Sequence, residues 1–279
     1  MLLVPCDVLR PRRPDEHFAG EAAAARAAGI PVAVVDHDAL TRGTAQAADA
    51  AVARVPAGDG AVYRGWMLRS GDYAGFAAAL ERRGVRLRTG AEDYRRGHEL
   101  PGWYPAAQDC TPESVWTEGD GRDGFLEACA GLGKGAAVLR DWTKSMKHYW
   151  DEACFIPDVT DVDAAWRVAR RFRELRDDEF TGGFVLRRFE DFSGAEARTW
   201  WVDGECRLVS AHPDSPDRLP GDVDLTVVAA AIRELASPFV TADLVRRTDG
   251  RWRLVEIGDG QVSDRPSSAD ASRLIRAII

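Results

Sequence analysis

The sequence predicts an α/β amino-terminal domain followed by an α+β half that ends in an antiparallel sheet. Three observations carry this reading. Apolar strand candidates alternate with helix formers in the first third, an amphipathic helix occupies the middle, and the Asp-Gly pairs 203–204 and 249–250 each separate two apolar runs. Strand–helix alternation with short connections implies a mostly parallel sheet covered by helices. Asp-Gly between apolar runs is the strongest short-range hairpin signal. An antiparallel sheet after a parallel one favours separate subdomains over one continuous sheet.

Taken in order, Met1 to Val8 is a short apolar strand candidate, and Ala19 to Ala28 is a helix former closed by Gly29. Ile30 to Val35 and Gly60 to Leu68 are further strand candidates, Tyr73 to Arg83 a helix stopped by Gly84, and Val85 to Leu87 a fourth strand. Glu99 to Pro105 reads as a loop, and Thr111-Pro112-Glu113-Ser114 as a helix start with proline at the first helical position. Gly131 to Gly135 is a flexible turn into the strand Ala136 to Leu139. Asp161 to Arg176 is a helix: Val162, Ala165, Trp166, Ala169 and Phe172 recur at three to four, acids open it and arginines close it. Phe184 to Phe189, Ala197 to Val202, Cys206 to Ala211, Ala242 to Arg247 and Trp252 to Ile257 read as strands.

Composition excludes several classes. The chain is 45% hydrophobic and 29% charged, an ordinary globular balance. Its formal net charge of -8 argues against broad nucleic-acid binding. No apolar run approaches the roughly 20 residues that span a bilayer, and the first residues make a poor signal peptide. Five widely spaced cysteines show neither a disulfide framework nor a CxxC metal pattern, which fits a reducing cytosol. Oligomeric state is left open.

The cations divide unevenly. Only Lys134, Lys144 and Lys147 are lysines among 37 cations, and they fall close together. The segment Arg140 to His148 follows a strand, where several cations can converge on a polyphosphate, and a lysine is a compact point charge suited to phosphate. It is not a Walker loop, and a solvated basic turn is the plainer alternative. If Asp249 and Gly250 alone form the second turn, Thr248 faces Arg251 and Asp243 faces Glu256. Two facing carboxylates repel unless a cation lies between them, and oxygen ligands suit Mg²⁺; a pair of solvated edge residues explains the hairpin as well. Asp259, three residues on, is a candidate third carboxylate. Glu196 and Arg198 share a strand face, so the acid can hold the arginine, although a surface ion pair is the commoner arrangement. His98, His148 and His212 are too scattered to propose a metal site. Trp200 and Trp201 straddle the two faces of one strand. Cys129 and Cys154 read as small buried hydrophobes.

The order of these elements resembles the ATP-grasp superfamily. The wording of Arg64-Gly-Trp-Met-Leu68, His98-Glu-Leu-Pro101, Arg140 to Trp150, Ala153 to Pro157, Val185 to Phe189 and Glu256 to Val262 is similar to its Arg-to-Lys clade. The resemblance implies an α/β pre-ATP-grasp domain (1–110) and an α+β ATP-grasp fold of two subdomains (111–185 and 186–279). It implies an ADP-forming carboxylate–amine ligase that makes an amide through an acyl phosphate, with small-molecule or peptide substrates. The cofactors implied are ATP and Mg²⁺. Arg140, Lys144 and Lys147 would meet the ATP phosphates. Leu186, Arg188, Phe189 and Glu190 would form the hinge that offers backbone groups to adenine. Arg198 would steady the γ-phosphate and the acyl phosphate, and Asp243, Glu256 and Asp259 would ligate Mg²⁺.

Three departures stand out. Arg140 replaces the usual lysine, Gly258 stands where the superfamily has asparagine, so that Asp259 or Gln261 must substitute if two metals bind, and Asp264 replaces glycine. They keep a non-catalytic ATP-binding or interaction module as an alternative. A kinase-like phosphotransferase on the same fold is a third reading.

Overall fold

A computed structural model describes all residues, 1–279. The first unit contains β1 (Leu2–Pro5), α1 (Ala19–Ala27), β2 (Val32–Val35), α2 (His37–Leu40), α3 (Ala45–Ala51), β3 (Val62–Tyr63), α4 (Ser70–Glu81) and α5 (Ala91–His98). Its three strands form a parallel sheet in the order β2-β1-β3, as the alternating pattern predicts. β1 is apolar throughout because both its faces are buried. Leu3 packs with Val35, Tyr63 and Phe76, while Leu2 and Val4 pack on the other side with Phe18, Trp200 and Phe239. The expected fourth strand at Val85–Leu87 is reduced to one bridge between Ala61 and Leu87. β3 is too short to support more, because the chain turns sharply at Gly65, where a Cβ would collide with the Tyr63 hydroxyl.

The middle unit contains α6 (Leu100–Ala107), β4 (Ser114–Trp116), α7 (Arg122–Leu132), β5 (Ala137–Asp141), β6 (Phe155–Ile156), α8 (Val162–Arg176) and β7 (Phe184–Arg188). Its sheet, β4-β7-β5-β6, pairs antiparallel throughout and covers α7 and α8 through Phe125, Leu139, Phe172, Phe184 and Leu186. α8 begins as expected, with Asp161 Oδ1 accepting the Ala164 N–H at 3.0 Å. Two expectations fail here. Glu99 to Pro105 is not a loop but runs into α6. Pro101 sits in the first turn, where no N–H is needed, and burial of Leu100, Trp103 and Ala107 against the last sheet decides the conformation. Thr111 to Ser114 does not start a helix. Ser114 opens β4, and Thr111 Oγ1 instead accepts the Arg187 Nη2 at 2.7 Å.

The last unit contains β8 (Phe192–Val202), β9 (Glu205–Ala211), α9 (Thr226–Leu235), β10 (Phe239–Arg247), β11 (Trp252–Asp259) and α10 (Ala271–Ile278), with antiparallel order β11-β10-β8-β9. Trp200 faces the first unit and Trp201 faces α6 and α9, so the two do straddle the sheet. No helix is long and apolar enough to cross a membrane.

Both hairpins carry a one-residue irregularity. The first closes Val202 on Glu205 with positive φ at Asp203 and Gly204, the turn that Asp-Gly favours. A bulge at Arg207 then shifts the pairing, which brings His212 opposite Glu196 through its N–H at 3.2 Å from the Glu196 carbonyl. In the second, Thr248 does not face Arg251. Arg247 does, and Thr248 to Gly250 form a three-residue loop with positive φ at Gly250 alone. A compensating bulge at Val255 restores the expected pairing of Asp243 with Glu256.

The turn after β5 is fixed by Trp142, whose Nε1 donates to the Thr117 carbonyl at 3.1 Å. Its ring lies over Gly182, where a Cβ would collide with Trp142 Cδ2 and φ is +70. Gly182→Ala therefore combines overpacking with a left-handed backbone. It should lower unfolding free energy by about 2 kcal/mol or more. An unchanged urea midpoint would show that the ring is free to move.

Candidate active site

A cleft of about 400 Å³ opens where the turn after β5 meets the last sheet. Lys144 and Lys147 line it on one side, Arg198, His212, Asp243 and Glu256 on the other, with Trp66 and His98 from the first unit at its edge.

The Lys144 side is built by Asp141, which is fully buried at the end of β5. Asp141 Oδ1 accepts the backbone N–H groups of Thr143 and Lys144, both at 2.7 Å, and the Thr143 hydroxyl at 2.9 Å. Its Oδ2 accepts Arg176 Nε at 2.9 Å. An aspartate that ties down the amides two and three residues on makes a tight turn, and this one aims Lys144 into the cleft. The Lys144 ammonium forms no ion pair with the protein. Desolvation lowers its pKa, Glu256 opposes that shift, and Arg140 adds to it. Both lysines are exposed residues, but Lys147 differs in being paired with Asp214.

The opposite wall is set by cross-strand pairing. β10 is central, so Asp243 lies between Arg198 of β8 and Glu256 of β11. Arg198 grips Asp243 with both arms, Nε to Oδ1 at 2.9 Å and Nη2 to Oδ2 at 2.8 Å. Burial opposes ionisation of Asp243, but the Arg198 charge and its hydrogen bonds, with help from His212, hold the carboxyl well below the usual range. Burial likewise opposes ionisation of Glu256, and the charges of Arg140 and Lys144 outweigh it. Arg140 Nη2 reaches Glu256 Oε1 at 2.7 Å and the Thr143 carbonyl at 2.7 Å. Arg140 thus does not line the cleft. It joins the middle sheet to the last one and holds Glu256.

The Glu196–Arg198 partnership is replaced by another. Arg198 belongs to Asp243, and Glu196 instead faces His212, 3.8 Å away. Glu196, His212 and Asp243 bring ligand atoms within 4.8 Å of one another, a convergence the sequence did not suggest. The signal was hidden because the Arg207 bulge changes the register of β9. His212 has a raised pKa: burial acts against the charged form, but the hydrogen bond and charge of Asp243 prevail.

Other expected site residues lie apart. Asp259 borders the cleft, but Glu256 and Asp259 fall on opposite faces of β11, and the Asp259 carboxylate turns towards the first unit. Its Oδ1 accepts the Gln261 N–H at 2.9 Å, and its Oδ2 is buried without a partner. Gln261 is also turned inwards, its Oε1 accepting the Tyr63 N–H at 3.0 Å. Neither replaces the side chain missing at Gly258, where Thr241 and Ser263 instead present paired hydroxyls 2.6 Å apart. Leu186 is a core residue, and the Arg188 guanidinium caps α7 through the Leu132 and Lys134 carbonyls. The N–H groups of Arg188 and Phe189 donate to the Glu113 and Ala136 carbonyls, at 2.7 and 2.9 Å. The first backbone N–H without a partner is that of Glu190, whose carboxylate is held by Arg253 at 2.7 and 2.9 Å. Phe189 is 37% exposed and stands in an aromatic group with Phe155 and Trp150.

Burial pushes Asp259 up to about 7 from an ordinary value of 3.8. The folded chain therefore binds this proton more tightly than the unfolded one, and stability falls as pH rises between those values. The full deficit, about 4 kcal/mol, applies above pH 7. Asp259→Asn should stabilise the protein at pH 8 and have little effect at pH 4, measured by urea unfolding. Equal effects at both would contradict the buried, partnerless carboxyl.

The profile of the ATP-grasp domain, Arg-to-Lys clade family 3, matches residues 129–278. No curated protein sequence matches the chain. Among solved structures, the RimK domain protein ATP-grasp from Sphaerobacter thermophilus is 16% identical, with TM-score 0.63 over 100% of this chain and 99% of its own. The D-cycloserine synthetase DcsG is 19% identical, with TM-score 0.62 over 99% of this chain and 97% of its own. The ATP-grasp ligase PsnB, solved with minimal precursor, Mg and ADP, is 12% identical, with TM-score 0.57 over 99% and 96%. These similarities establish the fold along the full length, and the profile covers more than half of the chain. The chain belongs to the ATP-grasp domain proteins of the Arg-to-Lys clade, family 3.

Proposed function

We propose that the protein is an ATP-dependent carboxylate–amine ligase, with Mg-ATP held between the subdomains 111–185 and 186–279. One observation carries the reading. An ammonium without a partner, Lys144, faces two carboxylates that are each already bound to an arginine, Asp243 to Arg198 and Glu256 to Arg140. Fixed charges of both signs around a polar cleft suit phosphoryl transfer, where positioning and charge neutralisation do most of the catalysis.

In this reading Lys144 donates to the phosphates, and Lys147 leaves Asp214 to join it. The free Glu190 N–H and the exposed Phe189 face meet the edge and the face of adenine. The substrate carboxylate oxygen attacks the γ-phosphorus as the bond to the β-phosphate oxygen breaks, and ADP departs. The ammonium of the second substrate first loses a proton to solvent. The free amine nitrogen then attacks the acyl carbon, the carbon–oxygen bond to phosphate breaks, and a second proton passes from nitrogen to solvent. Arg198, placed by Asp243 and by the Asp264 carbonyl at 2.9 Å, stays beside the oxygens that gain charge.

The donor set fits Mg²⁺. Glu256 keeps one oxygen free of protein partners, and Asp243 has lone pairs beyond those Arg198 uses. Bound there, the ion would neutralise phosphate charge. Asp259 is left out of this set by its orientation.

A second reading, a non-catalytic nucleotide-binding module, is favoured by the missing side chain at Gly258. ADP release with panels of carboxylates and amines, read by mass spectrometry for an amide, separates the two. A stable phosphorylated product without amide would point to a phosphotransferase instead. Lys144→Ala and Glu256→Ala should each reduce substrate-stimulated ADP release by about a hundredfold or more. If Glu256→Ala keeps both ATP affinity and ADP release, the assignment of this cleft is wrong.

A further inference from the structure

A second chamber, of about 630 Å³, adjoins the cleft behind Lys144. The two share Met67, His98, Thr143 and Lys144 as a common wall. Its lining is polar, with Thr41, Ser70, Asp72, Ser145 and Thr181 supplying hydroxyls and a carboxylate. On its far side Arg69 reaches across to the Asp178 carbonyl and lies 3.8 Å from Glu179, so the first and middle units close it together.

Two groups in it lack protein partners. His98 is only 8% exposed, and neither ring nitrogen hydrogen-bonds to the protein. One face of its ring stacks on Tyr94, at 5.1 Å between centroids. Desolvation, with the nearby Lys144 charge, lowers its pKa to about 4, so the imidazole is neutral at pH 7 and able both to donate and to accept. Its nitrogens have no protein partner and open onto the two cavities, so a molecule seated in either one can hydrogen-bond to them. Asp72 is half-buried and likewise forms no hydrogen bond or ion pair; burial raises its pKa, which Arg69 and His37 oppose.

The charges left over set the ligand class. Arg69 donates to the Asp178 backbone carbonyl and its charge is met by Glu179 at 3.8 Å, and that of Arg176 by Asp141 at 2.9 Å. Lys144 belongs to the shared wall and to the phosphate side. Apart from that shared lysine, the lining groups left without a counter-charge are the carboxylates of the exposed Asp178 and the half-buried Asp72, so the unmatched charge is negative and its sheltered part is Asp72. We propose that this chamber seats the amine substrate, a small polar primary amine that enters as its ammonium ion, with Asp72 pairing the ammonium and His98 positioning the molecule at the threshold of the cleft. The inference rests on the ligase reading for the word substrate, but the binding it asserts does not require ATP.

Saturation-transfer NMR on the full chain tests it, with glycine, L-serine and ethanolamine as probes and N-acetylglycine as the control that lacks an ammonium. At least one amine should receive saturation and N-acetylglycine should not; the three probes also tell a zwitterion from a simple amine. Asp72→Asn should weaken the bound amine about tenfold or more, the loss of a hydrogen bond to a charged group. His98→Phe keeps the ring against Tyr94 but removes both nitrogens, and should weaken it similarly. In turnover, both variants should raise the KM for the amine and leave that for ATP unchanged. The inference is overturned if no amine binds, if N-acetylglycine binds as well, or if affinity is unchanged in both variants. Calorimetry with Mg-ATP runs alongside: if the wild-type chain binds amine but not ATP, the ligase reading falls and the chamber stands.

Discussion

The site depends on the ion pair that Arg140 makes with Glu256 across two sheets. The arginine sits at the end of the middle sheet with its side chain 6% exposed, and the glutamate belongs to the edge strand of the last sheet. Removing a guanidinium from water is costly, and the arrangement is tolerable only because Arg140 also donates to the Thr143 and Asp141 carbonyls. Those bonds end on the turn that carries Lys144. One side chain therefore fixes the tip of one sheet, the edge of the other and the cation between them. Arg187 reinforces the contact by donating to the Val255 carbonyl at 2.7 Å, on the residue that bulges out of β11.

Around this crossing two carboxylates lie between two arginines. Arg140, Glu256, Asp243 and Arg198 lie in sequence across four strands and one sheet boundary. The two facing carboxylates, which would repel if alone, are each held by an arginine. Each of the four charges has a protein partner, yet a free Glu256 oxygen and a free Lys144 ammonium remain. Phosphate and an oxygen-seeking cation are the chemistry those two leftovers can accept. In this chain Arg140 is a structural tie between the two sheets, bound to the Thr143 carbonyl on one and to Glu256 on the other.

Much of this was legible in the residues. The clustered lysines, the Asp243–Glu256 opposition and the shared face of Glu196 and Arg198 all follow from composition and period. The hairpin reached the correct opposition for a partly wrong reason, since a turn one residue longer than expected is offset by the Val255 bulge. Where no second irregularity compensates, the outcome differs: the Arg207 bulge carries His212 to Glu196, and nothing in the Asp-Gly turn announces it. Asp259 was readable, because a strand period of two already separates it from Glu256. Asp141 was readable too, as an aspartate followed by Trp-Thr-Lys in a turn. The conformation of Glu99 to Pro105 was not, because burial of Trp103 against a distant sheet outweighs the local preference of two prolines and a glycine.

The most direct measurement is a crystal structure with a non-hydrolysable ATP analogue and Mn²⁺, located by its anomalous signal. The expected result is a metal peak beside the Asp243 and Glu256 carboxylates, with phosphate oxygens against Lys144 and Arg140 still joined to Glu256. A peak held by Glu196 and His212 with no phosphate at Lys144, or a nucleotide bound outside the cleft, would contradict it.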